Sequence, residues 1–175
     1  PEYKNSYIHL GYLYAANERY KEAARVYEEL LSFEREEPSI FVHLANVYIQ
    51  MKEYDKAERV LTDGLSLHEK DADLHFTLAI IFEKTDRFQS MVSHLRRAIE
   101  LDPNHADALN YLGYSFADKD INLDEALDLI EKALELKPNN GYVIDSLGWV
   151  YFKMGKAEKA LEKIQQAIDI VGDDP

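Results

Sequence analysis

The sequence predicts an all-α solenoid of about five repeats, each a pair of antiparallel helices. Three observations carry this. A leucine followed by a small residue returns at spacings of 34, 34, 34 and 35. Within each period the apolar positions recur every three or four residues, which is the helical step. Leu, Ala, Glu and Lys, which favour helices, dominate, while 7 Gly and 5 Pro leave little material for the turns of an all-β fold.

The dipeptides are Leu10-Gly11, Leu44-Ala45, Leu78-Ala79, Leu112-Gly113 and Leu147-Gly148. Three residues past each small residue stands a ring: Tyr14, Tyr48, Phe82, Phe116 and Tyr151. Three before each leucine stand Tyr7, Phe41, His75, Leu109 and Ile144. The second half repeats as Ala23, Ala57, Met91, Ala126 and Ala160, followed four residues on by Tyr27, Leu61, Leu95, Ile130 and Ile164. The period divides the chain into repeats of approximately 4–37, 38–71, 72–105, 106–140 and 141–175, read as a single array. Turns fall near Asn17-Glu18, Lys52-Glu53, Thr85-Asp86, Lys119–Asn122 and Gly155-Lys156. Asn122 and Glu125 have capping-box spacing and are expected to start a helix. Pro103 and Pro138 end helices, because proline cannot continue one. The small residues let the paired helix approach closely, and the rings fill the gap between successive repeats.

A hydrophobe, then Leu-Gly or Leu-Ala, then an aromatic, then Ala, then Pro resembles the tetratricopeptide repeat, over nearly the whole chain. The fifth unit, Leu147-Gly148-Trp149-Val150-Tyr151 through Ala160, is especially similar, although its tryptophan follows the glycine. His75 in place of an apolar residue, Met91 in place of alanine, and no closing proline in the first two units are departures. The resemblance implies a right-handed superhelix with first helices on the concave side, acting as a non-catalytic interaction scaffold. It also implies a polar capping helix at the end. The chain begins at Pro1 and stops at Asp173-Asp174-Pro175 without one, so the expectation is a piece of a longer protein, or exposure of Ile164, Ala167 and Ile168. The last two units, Leu109 to Ala160, resemble arrays in bacterial envelope lipoproteins, which tips the expected location toward the periplasm.

The composition narrows the chemistry. The net charge is −13, from 20 Lys+Arg against 33 Asp+Glu, which disfavours nucleic acid and anionic lipid. No stretch approaches a membrane span. There is no cysteine for a disulfide or nucleophile. No phosphate loop or nucleophile elbow is present. His9 and His43 fall one repeat apart and read as two half-exposed histidines, not as a metal site. Glu28-Glu29, Glu36-Glu37 and Asp173-Asp174 read as solvated surface, since an acid–base pair needs an enclosed cleft. No catalytic residue, cofactor or metal is expected.

In the repeat frame, four positions of each first helix face the groove. They are Asn5, Ile8, Tyr12 and Ala15; Ser39, Val42, Asn46 and Ile49; Asp73, Phe76, Ile80 and Glu83; Asp107, Asn110, Tyr114 and Ala117; and Tyr142, Asp145, Trp149 and Phe152. None is Lys or Arg, and several are rings that internal packing does not demand. The predicted partner-binding residues are Tyr12, Asn46, Phe76, Ile80, Asp107, Asn110, Tyr114, Asp145, Trp149 and Phe152. They suit a peptide or protein with apolar and basic side chains, with the asparagines bonding its backbone. Co-chaperones of the family grip a carboxylate with groove lysines and arginines. Ile8, Val42, Phe76 and Asp107 stand at those positions, so acidic tails are disfavoured. Self-association into a homo-oligomer, or service as the docking segment of a larger enzyme, are the alternatives.

Overall fold

A computed structural model describes residues 2–172. Among the described residues it contains ten helices and no strand: α1 (Glu2–Ala16), α2 (Tyr20–Leu31), α3 (Pro38–Gln50), α4 (Tyr54–Leu67), α5 (Ala72–Lys84), α6 (Phe88–Leu101), α7 (Ala106–Asp118), α8 (Leu123–Leu136), α9 (Gly141–Lys153) and α10 (Ala157–Gly172). Asp173-Asp174-Pro175 lies outside the described residues. The helices form two compact units, one up to Leu101 and one from Asp102 onward.

In the first unit α1 pairs with α2, α3 with α4 and α5 with α6. Successive pairs join because α2 lies on α3, α4 on α5, and α3 beside α5. The second unit repeats the scheme with α7 on α8, α9 on α10, α8 on α9 and α7 beside α9. The core is the repeated set: Ala23, Ala57, Ala126 and Ala160 are all buried, as are Leu44, Leu78, Leu112 and Leu147.

The small residues sit where helices touch. A methyl group added to Gly113 would lie 2.6 Å from Ile130 Cγ1 and 2.9 Å from the Ala126 carbonyl oxygen. At Gly148 the obstruction is Ile164 Cγ1 at 2.7 Å. Two of the aromatics reach back to the preceding pair within their own unit. The Tyr48 hydroxyl donates to Glu28 on α2, and Tyr151 donates to Glu131 on α8 at 3.4 Å.

Within four of the five repeats, the turn from first to second helix places an L-residue in the left-handed region: Glu18, Lys52, Asp86 and Asp120. Gly155 takes the same place in the fifth, at φ 74°. The predicted capping box at Asn122 does not form. Asn122 is itself left-handed (φ 48°, ψ 41°), so its side chain does not cap a backbone N–H at the start of α8. Its amide donates instead to the Glu125 carboxylate at 3.4 Å. Real side-chain caps come from Asp71 to Leu74 N–H, His105 to Ala108 N–H and Asn140 to Val143 N–H. Pro38 opens α3 at its first turn, where a missing N–H costs nothing. Of the end residues, Ala167 is buried and Ile164 half-buried, while Ile168 is exposed.

The His75 departure has a partner. His75 and His94 meet across the α5–α6 pair with their Nδ1 atoms 3.0 Å apart, and His94 also lies against Phe82. One nitrogen must donate and the other accept, so both rings cannot be charged in this arrangement. Burial lowers both pKa values; His94 is lowered further by His75, and His75 by Arg97, against opposing pulls from the Glu69 carbonyl and Asp71 on His75 and from Glu58 on His94. The folded state therefore favours neutral rings, while the unfolded chain takes up protons near the ordinary imidazole value of 6.5. Stability is retained above that value and lost as pH falls below it. The melting temperature should drop between about pH 7 and pH 5.5, and less steeply in His94→Gln. A profile identical in the two proteins would refute this coupling.

Candidate functional site

Each unit presents its own wall of first-helix side chains. In the first unit Tyr12 and Asn46 are exposed and line one cleft of about 370 Å³, together with residues of α1, α2 and α3. Tyr27 and His43 form its floor, stacked with ring centroids 5.6 Å apart. Burial pushes the His43 pKa down, so this ring is held toward its neutral form. His9, its counterpart one repeat earlier, is exposed. Phe76 and Ile80 lie half-buried on α5, and are not among the cleft residues. Tyr20 and Gln50 also line the cleft and were not anticipated, because they follow from how the helix pairs meet and not from the repeat frame.

The second unit carries the richer wall. Tyr114 is 43% exposed, and Phe152 56%. Trp149 is half-buried and stacks on Phe152, with centroids 5.3 Å apart at 26°. Neither Tyr114 nor Trp149 is sealed inside the helices. Behind these rings, the Asn110 Oδ1 and Trp149 Nε1 atoms are buried with no hydrogen-bond partner. Such atoms cost about 1–3 kcal/mol each when left unmade. Tyr142 and Asp145 complete the exposed face of α9.

Two expectations need correction. Ala117 is fully buried, because one methyl does not rise above the floor between helices. The wall is also less acidic than its own positions suggest. Asp107 is held by Lys137 at 2.7 Å, Glu83 by Lys84 at 2.9 Å, and the Lys153 ammonium stands 5.5 Å from the Trp149 ring centre. Lys137 lies thirty residues from Asp107 in sequence, at the end of α8, so no first-helix pattern could reveal it. Among the described residues, no three His, Asp or Glu side chains gather as a metal set, and no helix is long and apolar enough to cross a membrane.

Family models described as tetratricopeptide repeat match residues 14–81, 92–141, and 72–105 with 144–171. The chain belongs to the tetratricopeptide repeat family. Its fold class is accordingly the all-α tetratricopeptide solenoid. The TPR repeat-containing protein PA4667 of Pseudomonas aeruginosa is 38% identical over 86 residues, 49% of this chain. The matched stretch is only 15% of that relative's length. Among solved structures, a MamA protein aligns at TM-score 0.73 and 22% identity over 95% of this chain and 91% of its own. MamA of Desulfovibrio magneticus RS-1 aligns at 0.76 and 18%, over 100% and 99%. YrrB, described as a tetratricopeptide repeat protein with an unusual peptide-binding site, aligns at 0.68 and 26%, over 96% and 86%. These proteins share the tetratricopeptide architecture.

Proposed function

We propose that this tetratricopeptide array is a non-catalytic scaffold whose second-unit wall holds a peptide or protein segment. The observation that carries the reading is a buried donor and a buried acceptor, Trp149 Nε1–H and Asn110 Oδ1, left unpaired beside exposed rings. A peptide group brings one carbonyl and one N–H, the complement of that pair, and meets it once the covering rings turn aside. Tyr114, Trp149 and Phe152 supply flat apolar area for side chains, and such rings are frequent anchors at interfaces. Exposed Asp145 favours a basic residue beside an apolar one. Asp107, already bridged by Lys137, contributes position more than charge. In the first unit, Tyr12 and Asn46 form a second, smaller contact, with Phe76 and Ile80 as apolar surface. That YrrB has a peptide-binding site on the same fold supports the reading. The likeness of the last two repeats to envelope lipoprotein arrays supports a periplasmic setting.

Peptides selected from a random displayed library on the full chain provide the test. Trp149 is the only tryptophan, so its emission reports occupancy directly. Trp149→Ala and Tyr114→Ala should each weaken binding by about 2 kcal/mol, near thirtyfold, read by fluorescence anisotropy of labelled peptide. Unchanged affinity in both variants, with helicity and melting intact, would dismiss the wall as the binding site.

A further inference from the structure

We propose that His75 and His94 form a two-nitrogen chelate for a divalent late first-row transition metal (nickel, copper or zinc), with water completing the coordination. Both rings stand where other repeats keep apolar side chains. The counterparts of His75 on α3, α7 and α9 are Phe41, Leu109 and Ile144, all buried. Those of His94 on α2, α4 and α8 are Val26, Val60 and Leu129, all half-buried. Only the third repeat carries histidine at both positions, and there the two rings meet across α5 and α6. Aliphatic side chains would fill this contact without a polar atom. Imidazoles bring nitrogens that need partners once they leave water.

The spacing of the nitrogens fits a metal. Zinc–imidazole bonds run about 2.0–2.1 Å, so two imidazoles bound between about 90° and 109° hold their nitrogens about 2.9–3.3 Å apart. The Nδ1 atoms of His75 and His94 are 3.0 Å apart. The ring planes are tilted by 41°, with centroids 5.1 Å apart. A modest turn of each ring about its Cβ–Cγ bond, a soft torsion, aims both nitrogens at one point. The far side of His75 sets its tautomer. Its Nε2 lies 3.4 Å from the Glu69 carbonyl oxygen, which can only accept, so Nε2 carries the hydrogen and Nδ1 keeps its lone pair. Metal-binding histidines are commonly oriented by such a carbonyl behind the ring. At His94 the hydrogen that Nδ1 donates to His75 passes to Nε2 through solvent, and the ion takes its place. Both rings stay neutral, and no net proton is lost.

The surroundings agree with this use. Burial holds both rings toward the neutral form that ligates. Of the charged groups facing the pair, Asp71 and Glu58 favour a cation, and Arg97 opposes it. Among the described residues no third His, Asp or Glu joins the two rings, so the remaining positions on the ion belong to water. Imidazole nitrogen selects nickel, copper and zinc, with copper bound most tightly. Calcium and magnesium take oxygen ligands and are excluded. The pair uses neither Tyr114 nor Trp149, and stands independently of the peptide reading.

The test titrates nickel chloride into the full untagged chain, near neutral pH, in a buffer that does not bind metal. Calorimetry should find one ion per chain, and nickel should raise the melting temperature, because the folded chain alone holds the two rings together. Diamagnetic zinc chloride permits nitrogen NMR, where the Nδ1 resonances of His75 and His94 should shift. His94→Val restores the residue that Val60 provides in the second repeat, so the fold should persist, checked by melting without metal. It should weaken nickel by about tenfold or more, since even the groups behind metal ligands cost that much when lost. It should also abolish the rise in melting temperature. His9→Gln should bind nickel like the wild type. A wild type that nickel does not stabilise overturns the proposal. So does equal affinity in His94→Val, an equal rise with calcium chloride, or zinc shifts that fall on other histidines and spare this pair.

Discussion

Tyr48→Ala is expected to destabilise the first unit by about 3–5 kcal/mol, the cost of truncating a buried ring. The side chain is 5% exposed and stands on α3, but its hydroxyl reaches Glu28 on α2. It therefore closes the junction between two repeats, while the Lys56 ammonium of the paired α4 stands 5.3 Å from its ring centre. Burial and the Glu28 carboxylate both raise the phenol pKa, so it remains a proton donor throughout the neutral range. Tyr48→Phe separates the two contributions. It keeps the ring and removes only the hydrogen bond, with an expected loss of about 1–2 kcal/mol. Urea unfolding of both variants checks this. Equal losses for Phe and Ala would mean that the ring itself contributes nothing at the junction.

Gly113→Ala is expected to cost about 1–3 kcal/mol, although alanine favours helices over glycine. The new methyl would meet Ile130 Cγ1 at 2.6 Å and the Ala126 carbonyl at 2.9 Å, and the second of these is backbone that cannot step aside. The other repeats show the remedy. Where the small residue is glycine, its partner is Tyr27, Ile130 or Ile164. Where it is Ala45 or Ala79, the residue at the partner position is Leu61 or Leu95. A leucine has no branch at Cβ and can turn its bulk away from the neighbouring helix. Ile130→Leu should therefore recover part of the loss in the double variant, giving a non-zero coupling in a double-mutant cycle. Strict additivity would remove the explanation.

Those pairs show what sequence can disclose. Leu112-Gly113 and Ile130 are set by local periods that repeat five times, so helix number, pairing and core were legible from spacing alone. Contacts used once were not. Lys137 neutralising Asp107 depends on where one helix end lands beside another. The His75–His94 pair arises at a position that looks merely like a departure from an apolar consensus. Asn122 misled because capping-box spacing says nothing about backbone conformation, and the residue is left-handed. In the wall, Tyr114, Asp145 and Phe152 are exposed as the repeat frame expected. The frame could not say that Asn110 and Trp149 would bury polar atoms without partners, since that depends on ring stacking.

The turns at Glu18, Lys52, Asp86 and Asp120 have a consequence for the design of the chain. A left-handed L-residue sits about 1–2 kcal/mol above its relaxed state. Four hairpin tips are thus held in tension by the helices they join, and only the tip at Gly155 is at rest. The packing of each helix pair against its partner offsets that cost in the folded state.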